Sequence, residues 1–292
     1  MLYFKKIFLG RRCQNACRSC GAGGREAEPP KERIEAAIRE ASAENVLFWG
    51  GEPLLRQDLA ELVGLAARRG ARRVKLRTNA RGLDTGRLQE LLEAGVYFFE
   101  VKVAGPDADV HDAVCGRPGA YDETCGGLAS IRRVTELRGA PLRPYLECTV
   151  PIVRENLPLL AFTLQSLLPY EPDRVHFELA DPGLSLLKVV PPLRAALENA
   201  MFGKVWATTL GLPPCVMAGW EPHVRENLPG APSGRKLKPC KGCVLREVCS
   251  GVSPELVAAQ GERQVEAQLS PFSSSRYLDS LRLLRQPLKV WS

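Results

Sequence analysis

The chain of 292 residues is 45% hydrophobic and 25% charged, with a net charge of +7, a globular balance that excludes disordered and fibrous classes. No apolar run reaches the ~18–20 residues of a membrane span. Lys5 and Lys6 break the apolar N-terminus and no small-residue cleavage site follows, so the sequence reads as soluble and cytoplasmic, without a signal peptide. The basic excess lies in pairs (Arg11-Arg12, Arg68-Arg69, Arg72-Arg73, Arg132-Arg133) rather than in one block. That pattern reads as a solvated surface and argues against nucleic acid as a partner.

Up to about residue 200 the chain alternates β-rich apolar runs with helix-period stretches. Strands are expected at 2–9, 46–49, 73–77, 97–103, 145–150 and 174–179. Between them, Ile34, Ala37, Ile38 and Ala41 mark one helical face, and Leu59, Leu62, Val63 and Ala66 mark the next. Asp84 and Asp122 read as N-caps of helices at 85–94 and 123–138, with Gly95 closing the former. Two further helices are expected at 155–168 and 185–202. Strict βα alternation implies a parallel sheet wrapped by helices. A closed eight-unit barrel needs ~250 residues, so six units predict an α/β fold with a partial (βα)6 TIM-like barrel. Domains are expected at 1–205 for the barrel and at 206–292 for a cysteine-bearing extension ending in a helix. In such folds chemistry gathers where strands end. There the chain carries a cysteine-rich loop, then Gly50-Gly51-Glu52-Pro53, then Thr78-Asn79.

Ten cysteines beside three histidines point to metal or catalytic use in a cytosolic chain. Cys13, Cys17 and Cys20 form C-x3-C-x2-C; Cys240, Cys243 and Cys249 form C-x2-C-x5-C, with Cys215 as a fourth candidate. Three thiolates are one short of a structural zinc site and suit an iron–sulfur cluster with one iron open. Four are a closed set that fits zinc or a fully ligated cluster.

Taken together, Cys13-x3-Cys17-x2-Cys20, Gly50-Gly51-Glu52-Pro53 and Thr78-Asn79 resemble the radical S-adenosylmethionine (SAM) enzymes over residues 1 to about 200. The stretch from His111-Asp112 through Gly116-Arg117-Pro118-Gly119 to Tyr121-Asp122 is similar to the segment before helix four of the peptide-modifying branch. The resemblance implies a 4Fe–4S cluster on Cys13, Cys17 and Cys20, with the methionine amino and carboxylate groups of SAM on its open iron. Gly50 and Gly51 would let backbone approach the methionine. Glu52 would accept from its ammonium group, Pro53 closes the motif, and Thr78 and Asn79 would lie near the ribose or methionine. Lys102 is a candidate partner for the methionine carboxylate. Reduction would cleave SAM to a 5′-deoxyadenosyl radical that abstracts a hydrogen atom from substrate. The family usually places an aromatic residue before the third cysteine; here Ser19 stands there, so adenine contacts must come from elsewhere.

The tail resembles the SPASM and shorter Twitch extensions of that branch, implying a second, auxiliary 4Fe–4S cluster on Cys215, Cys240, Cys243 and Cys249. Arg235, Lys236, Lys238 and Lys241 crowd this set and would favour a reduced anionic cluster, dock an acidic reductant such as flavodoxin or ferredoxin, or be a solvated loop. The expected function is modification of a peptide or protein side chain by an oxidoreductase or maturase of this class. The alternative is a small-molecule substrate in cofactor or antibiotic biosynthesis, and the distant one a zinc-stabilised nucleic-acid-binding protein. Cys115, Cys125 and Cys148 read as buried or helix-facing cysteines, with hydrogen donation to a radical as the rival role. Glu100, Glu147 and Glu178 read as salt-bridged, and His111 and His223 are unassigned.

Overall fold

The computed structural model describes residues 4–17, 20, 28–41, 43–138, 143–225, 234–247 and 249–273. Seven strands are present: β1 (Lys5–Phe8), β2 (Asn45–Trp49), β3 (Arg73–Thr78), β4 (Val96–Lys102), β5 (Tyr145–Ile152), β6 (Arg174–Leu179) and β7 (Trp206–Leu210). They follow one another across the sheet in chain order. The alternating helices are α1 (Lys31–Ala41), α2 (Leu59–Arg68), α3 (Thr85–Ala94), α4 (Ala108–Cys115), α5 (Ala120–Arg138), α6 (Leu160–Leu167) and α7 (Leu186–Phe202), with short α8 (Pro254–Gln260) and α9 (Glu262–Glu266) after β7. This is the expected α/β partial-barrel class with one strand more. The sequence Trp-Ala-Thr-Thr-Leu of β7 falls where the barrel was expected to have ended.

The chain divides into two compact units, one of residues 2–150 with 162–175, the other of 151–161 with residues from 176 onward. In the first, β1 to β5 pair in parallel, with Phe8 opposite Trp49, Leu47 opposite Lys75, and Arg77 opposite Glu100 opposite Glu147. A register shift between Val74 and Lys75 slips Tyr97 out of step. One face is the apolar core: Ile7, Phe48, Leu76, Phe99, Val101 and Leu146 are buried, as are Ile34, Ile38, Leu59, Leu62, Val63 and Ala66 of the helices. The expected periodic faces of α1 and α2 are therefore core-facing, except that Ala37 and Ala41 are only partly buried. Asp84 caps α3 by accepting from Arg87 N at 2.8 Å, and Gly95 ends it in the left-handed region.

Two local expectations are corrected. Asp122 lies inside α5 rather than capping it. The capping carboxylate is Asp112, which accepts from Gly119 N at 2.6 Å and Tyr121 N at 2.8 Å and so needs no acid at the helix start. The helix expected at 155–168 is a 3-10 turn at Leu157–Leu159 followed by α6, because Pro158 cannot donate in a helical ladder. The expected C-terminal helix lies outside the described residues.

In the second unit, His176 Nδ1 meets Thr208 Oγ1 at 2.6 Å. Gln268 accepts from Ser185 Oγ and Leu186 N at 2.9 and 2.7 Å, tying the segment after α9 to the start of α7.

Candidate active site and cysteine sets

The front site is built where β1, β2, β3 and β4 end. Glu52 is 2% exposed and accepts from Thr78 Oγ1 at 2.6 Å, Asn79 N at 2.7 Å and Leu54 N at 3.0 Å. Burial pushes its carboxyl up to about 7, against these three donors. Pro53 is buried and opens the 3-10 turn Pro53–Leu55.

Asn79 links this carboxylate to the cysteine loop. Its Nδ2 lies 3.8 Å from Cys13 Sγ, and its Oδ1 accepts from Gln14 Nε2 at 3.4 Å and Arg81 N at 2.9 Å. Asn15 N donates to the same sulfur at 3.4 Å. Arg81, 8% exposed, donates to Asn15 Oδ1 and forks onto Glu123 of α5 at 2.9 and 3.0 Å. Arg81, Asn15 and Glu123 were not singled out by the sequence; a lone Arg two residues beyond Thr-Asn carries no motif.

Gly51 sits at φ +50, and a Cβ there would stand 2.2 Å from the Arg12 carbonyl oxygen; one at Gly50 would meet the Phe8 ring at 2.6 Å. The space these glycines leave is filled by the chain's own β1 end and cysteine loop, to which Glu52 N donates through Arg12 O at 2.7 Å.

Cys13, Cys17 and Cys20 are brought together with Cys115. Ala16 N donates to the Cys115 carbonyl at 2.8 Å, and Gly116, at φ +63, leaves no room for a Cβ against Ala16 O at 2.8 Å. Hydrogen bonding to the Cys115 thiol pushes Cys17 up to about 11, while Cys20 and the Lys102 ammonium act the other way. The same bond holds Cys115 below the usual thiol range. Burial raises Cys13, and Asn15 N–H opposes it. Cys115 is thus a neighbour of the front set, which its isolation in the sequence concealed. Cys148 is not: it lies opposite Val101, on the face away from Glu147 and Thr149, and burial pushes its thiol up to about 12. Cys125 stands on α5 beside Tyr121 and Tyr170. Ser19 lies outside the described residues. His111 is buried; its Nδ1 accepts from Ala104 N at 3.2 Å, and burial lowers it to about 4, which makes it a structural imidazole. His223 Nδ1 meets the Ala207 carbonyl oxygen at 2.7 Å.

The rear set lies in the second unit. Cys215, Cys240, Cys243 and Cys249 line one cavity with Pro213, Pro214 and, beneath them, Leu245 and Phe272. Cys215 occupies the turn Pro214–Val216, Cys240 and Cys243 bracket the end of the turn Lys238–Gly242, and Gly251 N donates to Cys249 Sγ at 3.2 Å. Burial pushes Cys215 up to about 12, with the other three thiols adding to it. The side chains of Lys236 and Arg246 reach this cavity; Arg235 pairs with Glu262 at 3.1 Å, and Lys238 and Lys241 are exposed.

Residues 7–136 match the Radical SAM superfamily. That segment contains the whole front site. An AdoMet-dependent heme synthase of Oleidesulfovibrio alaskensis is 32% identical over 158 residues, 51% of this chain and 38% of the relative. An Fe-coproporphyrin III synthase of Methanosarcina barkeri is 33% identical over 127 residues, 41% and 31% of the two chains. The chain thus spans well under half the length of these curated relatives. Among solved structures, Streptococcus suis SuiB bound to S-adenosylmethionine superposes with a TM-score of 0.55 at 14% identity, over 70% of this chain and 47% of that one, which shows the shared fold. Among the described residues no helix is long and apolar enough to cross a membrane.

The match implies a 4Fe–4S cluster and SAM for this segment. The residues present fit them: three soft sulfurs in one loop, N–H donors aimed at Cys13 Sγ, and the Arg81 and Lys102 cations at hand.

Proposed function

We propose that the chain is a radical SAM enzyme acting on a small molecule of the iron-porphyrin class, with Cys13, Cys17 and Cys20 as the cluster ligands. The observation that carries the reading is the hydrogen-bonded path from Glu52 through Asn79 to Cys13 Sγ, which joins a buried carboxylate to the thiol set. The heme synthase and the Fe-coproporphyrin III synthase among its relatives favour a small-molecule substrate. They give no support to the expected peptide or protein side chain, and the likeness to SuiB is one of fold.

When bound and reduced, the cluster and SAM would supply hydrogen-atom abstraction from the substrate. The chain's own residues bind and orient. Glu52 has lone pairs left after its three donors and would accept from the methionine ammonium, and Lys102 would meet the methionine carboxylate. Thr78 holds Glu52, and Asn79 holds the cysteine loop against it. Gly50 and Gly51 let that loop close over the Glu52 turn.

The cavity among Cys215, Cys240, Cys243 and Cys249 would hold an auxiliary 4Fe–4S cluster; four sulfurs around a void suit a cluster better than a single zinc ion. A flavodoxin or ferredoxin of the cytoplasm would serve as reductant. The test is anaerobic reconstitution followed by reduction with SAM present. Wild-type protein should form 5′-deoxyadenosine and Cys17→Ala should form none; equal yields from both would refute the assignment.

A further inference from the structure

Four thiols meet at the front site, and the chemistry above uses three of them. The fourth, Cys115, is 3% exposed and tightly held. Its carbonyl accepts from Ala16 N at 2.8 Å, and the next residue, Gly116, packs so closely that a Cβ there would stand 2.8 Å from the Ala16 oxygen. Ala16 immediately precedes Cys17, so these backbone contacts set Cys115 against that ligand. The two thiols are hydrogen-bonded to each other.

That bond needs a hydrogen on only one of the two sulfurs, and the metal decides which. Without metal, either thiol can donate. A sulfur bound to iron is a thiolate with no hydrogen to give, so in the loaded protein Cys115 is the donor and Cys17 the acceptor. The hydrogen is kept on Cys115 for two reasons. Cys115 is the last residue of α4, where the carbonyl end of a helix opposes negative charge. A second bare thiolate beside the ligand would also put two like charges in contact. Of the charged side chains nearby, Asp112 adds to this, and the Lys102 and Arg81 cations oppose it.

A hydrogen bond to a ligating sulfur draws charge from it and favours the reduced, more negative cluster, which raises the reduction potential. We infer that Cys115 is a positioning residue for the front cluster: its thiol donates to the Cys17 thiolate and eases the reduction on which SAM cleavage depends. This rests on the assignment of a cluster to Cys13, Cys17 and Cys20 above, and adds the residue that sets how readily that cluster takes an electron.

The test is a redox titration of the anaerobically reconstituted full chain followed by electron paramagnetic resonance, with the front cluster recognised by the change that SAM makes in its signal. Cys115→Ala removes the donor and should disfavour reduction about tenfold, a potential about 59 mV more negative for one electron. Cys115→Ser offers an O–H instead and should return the potential to near the wild-type value. Cys115→Val fills the space of the thiol without donating; it should match the alanine variant and replaces it if that variant loads poorly. Iron per chain is read on every preparation. An unchanged potential in the non-donor variants overturns the inference, and so does an equal shift in Cys115→Ser, which would make the effect one of packing. Loss of front-site iron from all three variants also overturns it, since Cys115 would then hold the loop or the metal itself. A SAM-responsive cluster with an unmoved potential sinks the tuning role alone, whereas a wild-type chain with no SAM-responsive cluster takes the cluster assignment down with it.

Discussion

Glu52 is a carboxyl group held out of water among three donors, and its proton affinity follows from that competition. Its folded-state pKa is near 7 against an ordinary 4.5. Between these values the unfolded chain has released the proton and the folded chain keeps it, so this group's contribution to stability falls as pH rises through that window. In SAM-free protein, Glu52→Gln should therefore flatten the difference between urea melts at about pH 5 and about pH 8. Parallel profiles for wild type and variant would show that the burial is not felt. Arg81 acts differently, as a permanent cation fastening two segments. Arg81→Met leaves the buried Asn15 oxygen without its donor, a loss of about 1–3 kcal/mol. It should lower iron bound at the front set while leaving far-UV circular dichroism unchanged; undiminished iron would dismiss the fastening role.

At the scale of elements, what could be read early was whatever repeats or punctuates. The strand end at 49, the strand expected at 73–77 that runs one residue further to Thr78, the periodic faces of α1 and α2, and the Asp84–Gly95 brackets of α3 are all local signals. α4 was missed because its eight residues offer little more than two turns, and its Asp107 cap and Gly116 stop lie in a stretch to which the sequence assigned no helix. That helix carries Cys115, buried as expected, and delivers it to Cys17, a proximity that no sequence spacing shows. Asp122 misled for a related reason: the true cap, Asp112, is supplied from a different helix, a tertiary fact with no sequence spacing. The glycine pair at 50–51 is a motif whose physical demand comes from packing. Gly51→Ala drives a methyl group into the Arg12 carbonyl, an overlap that costs about 1–3 kcal/mol. Thermal melts should show the loss together with poor front-site reconstitution, and an unaltered melting temperature would refute the close approach.

For the whole molecule, each of the two cysteine sets lies in its own compact unit, so their metal contents should be separable. Cys243→Ala should drop iron and acid-labile sulfide from about eight to about four per chain. The spectroscopic change on adding SAM should remain. One zinc with about four irons in the wild type would make the rear set structural instead; unchanged iron in the variant would remove Cys243 from the ligand set.

The strands lie in the order in which they are synthesised, and the paired partners resolved from β1 to β5 are each joined by a single intervening stretch of chain. Domains generally organise from the N-terminal side as translation proceeds. Every residue placed in the front site, from Cys13 to Glu123, has been made before any of Cys215, Cys240, Cys243 and Cys249. A nascent chain stalled past β5 should therefore present its first thiol set to the iron-delivery machinery while the second does not yet exist, giving metal loading a built-in temporal order.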